Sequence, residues 1–175
     1  MSGIVIRAAK EEDIPEILEI IKDAFTRYAN ELKMPERVMA LKENEQILAD
    51  EMKKKRVLVC VTNGIISGTI RYEILPNNIA YISRFGVRAD MQKNGVGQAL
   101  IEAITDECIS KNVLAIALHT SSKMKNLIRF YYKHDFYIHS TSFDRGYVRA
   151  LLIKEMQPVP GLNPELVNID LFHCS

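Results

Sequence analysis

The sequence has no excess of charge of either sign, no long apolar run and only three cysteines. A formal net charge of +1 argues against nucleic-acid binding, because that affinity depends on many phosphate contacts made by a clustered basic surface. No apolar run is long enough to cross a bilayer, and the N-terminus lacks the apolar core of a secretion signal. These absences predict a cytoplasmic protein that binds neither nucleic acid nor a membrane.

The cysteines and histidines are too scattered to form a disulfide framework or a zinc site. Cys60, Cys108 and Cys174 are odd in number and far apart, and the first two lie in apolar patterns, which predicts reduced and mostly buried thiols. No cysteine and histidine stand at the spacing of zinc ligands. The sequence therefore predicts an intracellular chain without a metal site.

The chain does contain enough apolar material for one hydrophobic core. Its 175 residues, 47% of them hydrophobic, suit a single domain of ordinary size. We expect that domain to cover residues 1–156. Residues 157–175 are rich in proline and leave the regular pattern, and we expect this tail to pack over the domain or against a partner subunit in a homodimer.

Helix and strand signals alternate along the chain in the order β-α-α-β-β-β-α-β-α-β-β. Asp13, with Pro15 and Glu16 after it, indicates a capped helix start, and Asn63-Gly64 is a strong hairpin signal. Apolar periodicity predicts strands at about 4–8, 56–61, 65–74, 80–87, 113–118, 136–142 and 147–154. It predicts helices at about 13–28, 43–52 and 123–133, and one that runs from the glycine turn to about residue 110.

The most specific signal is the stretch from Val87 to Ile104, where an apolar strand end leads through a polar turn into an amphipathic helix. The first N–H groups of a helix lack internal partners and lie at the positive end of its dipole, so they can hold an anion. Gly95 and Gly97 permit left-handed backbone angles and a close approach of a diphosphate to the main chain. Gln92 and Lys93 can add side-chain donors.

Other glycine-rich phosphate motifs do not fit this spacing. A dinucleotide fingerprint would need a third glycine where Leu100 stands, and a Walker-type loop would need Gly-Lys-Ser/Thr where the chain has Gly97-Gln98-Ala99. A glycine-rich helix start without a ligand is the structural alternative. The segment Gln92-Lys93-Asn94-Gly95-Val96-Gly97 matches Q/R-x-x-G-x-G/A at every fixed position, and through it the chain resembles the GNAT superfamily of N-acetyltransferases.

A second match to that family lies at the end of the last predicted helix. The family pattern F/L-Y-x-K-x-G-F aligns with Tyr131, Lys133 and Phe136, whereas Asp135 replaces the glycine. Because aspartate tolerates left-handed angles better than most residues, we expect the helix-end turn to form. The resemblance spans about residues 4–155 and implies an α/β (α+β) fold with a mixed, mostly antiparallel central sheet of about seven strands, about four flanking helices and two splayed parallel central strands.

The resemblance implies that acetyl-CoA is the acyl-donor cosubstrate and binds where the two parallel strands splay apart. We assign the backbone of Phe85, Gly86 and Val87 to its pantetheine, with either a bulge or plain packing as the reason for Gly86. Met124 stands where many relatives have an asparagine. The full set of cofactor-binding candidates is Phe85, Gly86, Val87, Gln92, Lys93, Asn94, Gly95, Val96, Gly97, Gln98, Met124 and Tyr131.

The implied reaction is direct attack of a primary amine, on a small molecule or a peptide, at the thioester carbonyl. Tyr131 would protonate the departing CoA thiolate as general acid, since a tyrosine hydroxyl is protonated at neutral pH; a core tyrosine is the structural alternative. For the base that accepts the amine's proton, Glu73 is the first candidate and His119 the second. An acetyl-CoA-binding regulatory module without turnover is the alternative function.

Overall fold

The computed structural model describes residues 3–157, and within that range the elements follow the predicted order. The helices are α1 (Ile14–Leu32), α2 (Glu45–Lys54), α3 (Val96–Ser110) and α4 (Lys125–Lys133). The strands are β1 (Ile4–Ala8), β2 (Arg56–Thr62), β3 (Ile65–Ile74), β4 (Ile79–Val87), β5 (Ala115–Ser121), β6 (Tyr137–Ser142) and β7 (Arg149–Glu155).

The strands form one sheet in the order β1-β2-β3-β4-β5-β7-β6. The pairs β1–β2, β2–β3, β5–β7 and β6–β7 are antiparallel, whereas β4 and β5 run parallel. The parallel ladder pairs Ile79–Tyr81 with Ala115–Ala117 and is therefore three residues long. A mixed, mostly antiparallel sheet of seven strands with four helices confirms the predicted fold class.

Two predicted turns form with the backbone angles that their residue types favour. Asn63 and Gly64 have φ values of 52° and 80°, both positive, as a two-residue type I′ hairpin requires, and Thr62 pairs with Ile65 across it. Asp135 has a φ of 66°, so it replaces the family's glycine in the left-handed region. The helix-end turn survives the substitution, as predicted.

The first helix begins where the sequence predicts, but Asp13 does not cap it. Asp13 belongs to a short 3-10 turn, and its carboxylate accepts the Lys10 N–H at 2.7 Å and two guanidinium donors of Arg7 at 2.6 and 2.9 Å. The hydrogen bond from Arg7 holds the pKa of Asp13 below its ordinary value, although partial burial opposes this. The helix also runs to Leu32 rather than to about residue 28, and Lys33, with a φ of 60°, ends it.

The second helix is also displaced from its predicted position. Asn44 is its N-cap, because the side-chain oxygen of Asn44 accepts the Ile47 N–H at 3.0 Å. Glu43, which the sequence placed inside the helix, therefore precedes it in the connection from α1. Strand β5 and helix α4 each begin two residues later than predicted.

The described residues fall into two compact units. Unit one comprises the chain up to Tyr72 together with Ile82–Ile104. Its main core packs α1 and α2 against one face of the strands, because apolar side chains of both helices belong to the same buried cluster as alternate residues of β2. The buried members of this core are Ile14, Ile17, Ile20, Ile21, Ala29, Val38, Ala40, Leu48, Val57, Val59 and Ile66.

Helix α3 covers the other face of unit one at a glycine. Gly68 pairs with Cys60, which strand alternation places on the face opposite Val59 and therefore opposite α1 and α2. A Cβ on Gly68 would lie 2.7 Å from Val96 Cγ1 and 3.0 Å from Leu100 Cδ1. Only glycine leaves room for the first turn of α3 to lie this close to the sheet.

Unit two comprises Glu73–Tyr81 and the chain from Thr105 onward. An apolar cluster on its strands joins Leu75, Ile79, Ala115, Ala117, Leu151 and Ile153, with Tyr81 and Tyr137 packed against it. The single domain at residues 1–156 stays a prediction. The predicted tail at 157–175 lies, beyond its first residue, outside the described residues.

Candidate functional site

The predicted phosphate turn lies in unit one, between the end of β4 and α3. Lys93 and Gly95 both have left-handed backbone angles, with φ values of 65° and 81°. A Cβ on Gly95 would find only Ile4 Cδ1, at 3.9 Å, so the backbone angle and not crowding requires glycine there. The turn is open to solvent, because its residues Gln92, Lys93, Asn94 and Gly95 are exposed.

The first turn of α3 presents a set of N–H groups to this exposed turn. The Ala99 N–H donates to the Gly95 carbonyl at 2.9 Å, which makes Gly95 the N-cap. The N–H groups of Val96, Gly97 and Gln98 therefore have no acceptor within the helix. Both glycines permit left-handed angles, but Gly97 lies inside the helix and only Gly95 of the two adopts such an angle.

Side chains around the turn hold the strand end and the helix start. Arg27 Nη2 donates to the Val87 carbonyl at 2.8 Å and to Asp23 at 2.9 Å, which fixes the last residue of β4. The side-chain amide of Gln98, a predicted cofactor contact, donates to Glu102 at 2.7 Å. Of the two donors of Gln98, only the backbone N–H at the helix start therefore remains for a ligand.

A cleft beside the turn has the wrong charge for a phosphate. It measures about 290 Å³ and lies between α1 and the segment that follows β4. Arg88 is its one cationic side chain and is paired with Asp90 at 3.4 Å. Since the lining also includes Glu19 and Asp23, we assign an anion to the N–H groups of α3 and not to this cleft.

Strand β4 carries its irregular residue at Arg84, and not at Gly86. Arg84 has a φ of 49°, whereas the φ of Gly86 is not positive. A Cβ on Gly86 would lie 3.2 Å from Ala24 Cβ and 3.4 Å from Ile20 Cγ2. Gly86 is therefore a packing glycine at which α1 approaches the strand, which decides between the two roles that the sequence left open.

Unit one also contains a buried ion cluster that the sequence analysis missed. The Glu43 side chain is 2% exposed and accepts hydrogen bonds from Arg71 and, at 2.6 Å, from Arg84 Nε. Arg71 is equally buried and lies 3.6 Å from Glu51. Burial lowers the pKa of Arg71, against the opposing pull of Glu43. The signal available in the sequence was Asn44, whose capping preference could have moved Glu43 out of the helix.

In unit two, aromatic contacts fix the position of Tyr131. Its side chain is 5% exposed, and its ring packs edge-on against Phe130 and Phe136 at centroid distances of 5.4 and 5.6 Å. The Tyr131 carbonyl accepts the Phe136 N–H at 3.1 Å, which closes the helix end. Met124, the other candidate on this helix, is its buried N-cap residue, and its carbonyl accepts the Ile128 N–H.

The candidate base His119 lies against a tyrosine of the same unit. Tyr81 Oη and His119 Nδ1 lie 2.8 Å apart, and Tyr81 is the last residue of the parallel ladder. Burial raises the pKa of Asp144, but Arg149 and, more weakly, His119 act to lower it, and the net pKa is below its ordinary value. Glu73 is a half-buried residue near the end of β3.

The predicted site residues thus fall in two groups. Unit one holds Phe85, Gly86, Val87 and the turn with its helix start, and unit two holds Glu73, Met124 and Tyr131.

Between residues 3 and 157, histidine, cysteine, aspartate and glutamate form no group of three or more that could hold a metal. No helix in the same range is long and apolar enough to span a bilayer. Cys60 and Cys108 are buried free thiols, as predicted.

This sheet, with its parallel pair β4–β5 and a glycine turn before the third helix, has the architecture that the resemblance predicted. The sequence model of the acetyltransferase (GNAT) family matches residues 14–136. The chain therefore belongs to the GNAT acetyltransferase family, and the predicted resemblance is confirmed.

Solved structures with the same fold include three acetyltransferases. The PaiA N-acetyltransferase from Thermoplasma acidophilum, in complex with coenzyme A, has a TM-score of 0.78 and 18% identity, covering 87% of this chain and 99% of that one. An N-acetyltransferase from Staphylococcus aureus has a TM-score of 0.71 and 19% identity, covering 89% and 100%. A chimera of the spermidine N-acetyltransferase SpeG from Vibrio cholerae and hSSAT has a TM-score of 0.73 and 15% identity, covering 95% and 99%. No curated protein sequence matches this chain.

Proposed function

We propose that this protein is an acetyl-CoA-dependent N-acetyltransferase that acts on a primary amine of a small molecule or a peptide. The observation that carries the proposal is the exposed turn with left-handed Lys93 and Gly95, directly before three helix N–H groups without helical acceptors. Such a turn binds a diphosphate through the main chain. The family match and the coenzyme A complex of a protein with this fold support the same ligand.

The residues of unit one fit the binding of the cofactor. The side of Gly95 that a Cβ would occupy is open, which leaves space for a bulky phosphate group. Gln92, Lys93 and Asn94 are exposed around it and can add donors. The backbone of Phe85–Val87 would bind the pantetheine amides as an added strand, and Arg27 holds the end of that segment in place.

Bound acetyl-CoA supplies a thioester, whose carbonyl carbon is open to attack by an amine. We assign Tyr131 as the general acid that protonates the departing thiolate, because its ring is held by two aromatic neighbours and its hydroxyl has a proton to donate. Met124 would contact the cofactor at the start of the same helix.

The proton of the amine needs an acceptor, and the contact with Tyr81 favours His119 over Glu73. If Nδ1 of His119 carries its proton and donates to Tyr81 Oη, Nε2 is the basic nitrogen of the ring. The charge of Asp144, which interacts with His119, would stabilise the protonated imidazole. His119→Gln should then lower kcat, and Glu73→Gln should not.

The phosphate turn can be tested with a pair of glycine variants. Gly95 and Gly64 have nearly the same left-handed φ, 81° and 80°, and neither is crowded by its surroundings. Gly95→Val and Gly64→Val should therefore strain the backbone equally, but only Gly95→Val should weaken coenzyme A binding in isothermal titration calorimetry. Equal affinities for the two variants would count against the turn as the binding site.

Turnover can be tested by following thiol release from acetyl-CoA with a panel of amines. Tyr131→Phe should lower kcat by about 100- to 10,000-fold, the range for a lost general acid, and leave coenzyme A affinity unchanged. Tyr132→Phe is the control, because that exposed side chain is the next residue on the helix. Coenzyme A binding without thiol release for any amine would instead support the regulatory alternative.

A further inference from the structure

Arg84 combines a strained backbone with a side chain that is only partly used. Its φ of 49° lies in the left-handed region, in the middle of strand β4, although a residue with a Cβ rarely adopts such angles. Strain of this kind persists where the surrounding structure fixes the residue, and it is frequent at ligand-binding sites. Here the Nε–H of Arg84 donates to Glu43 at 2.6 Å, which holds the side chain in one direction.

The carboxylate of Glu43 is shared between two arginines and binds Arg84 through Nε alone. One of its oxygens accepts from Arg71 and the other from Arg84 Nε. Among residues 3–157, neither terminal nitrogen of Arg84 has a hydrogen-bond partner. The Arg84 side chain is 29% exposed, so its terminal N–H groups can reach a ligand, whereas Arg71 is 2% exposed.

Arg84 shares its acidic partner with a buried arginine. Glu43 is shared by two arginines, and Glu51 lies 2.6 Å from Lys55 but 3.6 Å from Arg71. Arg71 is buried against both acids, whereas the more exposed Arg84 contacts only Glu43, through Nε. A guanidinium with two free nitrogens in a plane matches a carboxylate and binds it by two parallel hydrogen bonds.

Arg84 also has a position in the chain that suits an acceptor contact. It directly precedes Phe85–Val87, the segment that we assign to the pantetheine. Through Glu43 it is tied to the connection between α1 and α2, which contains short 3-10 turns at Pro35–Arg37 and Met39–Lys42. A substrate that reaches the acyl end of the cofactor past this connection would meet Arg84.

We infer that the acceptor carries a carboxylate beside its amine and that Arg84 binds this carboxylate, so that the substrate class is that of free amino acids. The inference rests on the proposed N-acetyltransferase function. It assigns Arg84 as a specificity residue, with Glu43 as the residue that orients it.

The test compares each amino acid with the amine that lacks its carboxylate, such as lysine with 1,5-diaminopentane and phenylalanine with 2-phenylethylamine. In the wild type, kcat/KM should be higher for the amino acid of at least one pair. Arg84→Gln should lower that value by roughly 10- to 100-fold, as for a lost hydrogen bond to a charged group, and leave the decarboxylated amine unchanged. Arg84→Lys, which keeps the charge without the planar pair of donors, should give an intermediate loss.

Arg37→Gln is the matched control, because Arg37 is an exposed cation of the same α1–α2 connection, at 54% exposure. It should leave both members of each pair unchanged. Preference for the decarboxylated amines in every pair, or an equal loss for both members in Arg84→Gln, would overturn the inference. A rise in the KM for acetyl-CoA alone would also overturn it, because Arg84 would then bind the cofactor.

A binding measurement separates failure of this inference from failure of the proposed function. N-acetyl amino acids and their amides differ only at the carboxylate. Calorimetry with coenzyme A present should show tighter binding of the acids in the wild type and loss of that difference in Arg84→Gln. If no amine supports thiol release but this difference appears, the function fails and the carboxylate site stands; equal binding of acids and amides would refute the site.

Discussion

Removal of the Glu43 carboxylate gives the most direct measure of the ion cluster in unit one. In Glu43→Ala, Arg71 keeps its buried position but loses its main partner and retains only Glu51, at 3.6 Å. Loss of one member of a buried ion pair typically lowers the free energy of unfolding by about 3–5 kcal/mol, because the other charge stays buried without compensation. Arg84 is partly exposed and can be hydrated again, so we expect a loss of about 3 kcal/mol.

Urea denaturation, followed by circular dichroism, measures this loss as a shift in midpoint at constant slope. Glu36→Ala is the control, because Glu36 is 67% exposed and its contact with Arg37 is 3.8 Å long. A pair of that kind contributes between 0 and about 1 kcal/mol. Glu43→Gln keeps one acceptor oxygen and should fall between the two. A loss in Glu43→Ala no larger than that in Glu36→Ala would refute the argument that Arg71 depends on this carboxylate.

Three further predictions concern the pH dependence, packing and thiols of the folded chain. The Arg7 hydrogen bond lowers the pKa of Asp13 below 3.8, so the carboxyl of Asp13 binds fewer protons in the folded state than in the unfolded state. The ionised carboxylate therefore stabilises the fold above about pH 3.8, and this stabilisation is lost as the pH falls through the pKa of the folded state. Asp13→Asn should flatten the stability curve below about pH 4, and an unchanged curve would contradict the assignment. Gly68→Ala should lower the free energy of unfolding by about 1–3 kcal/mol through overpacking, whereas Gly3→Ala, with open space around it, should not; equal urea midpoints would exclude the close approach of α3. Burial raises the pKa of Cys108 to about 11, so a disulfide reagent at pH 8 should label it only after unfolding, and mass spectrometry of the labelled peptides checks this.

The sequence predicted the features that depend on neighbouring residues. The Asn63-Gly64 turn and the left-handed Asp135 follow from the angles that single residue types tolerate. The sequence also predicted an amphipathic helix after the glycine turn, and apolar residues of α3 are buried, among them Leu100, Ile101, Ile104 and Cys108. The order of elements needs only such local signals, which is why it was predicted in full.

The features that the sequence did not predict depend on side-chain contacts that the preference of a single residue does not describe. Glu43 meets Arg71 and Arg84 across 28 and 41 positions, and no local pattern marks such a pair. Asp13 had the residue type of a helix cap, but Arg7 and the Lys10 N–H compete for its carboxylate. In each case the local preference was real and a tertiary contact replaced it.

The packing at His119 gives the same lesson for the candidate site. Alternation along the strands could place His119 and Glu73 as candidate bases, but it could not show that Tyr81, 38 positions earlier, lies against the imidazole. The role of Gly86 was also open until helix α1 was seen to approach it. Local chemistry can nominate site residues, but a choice among them requires the fold.

The close approach at Gly68 has a consequence for mutational screens of this enzyme. A side chain there would push Val96, and with it the first N–H groups of α3, away from the sheet. Coenzyme affinity would then fall although no group that touches the ligand had changed. A screen that scores activity alone would count Gly68 among the ligand contacts, whereas a parallel measurement of melting temperature would reveal it as a spacer.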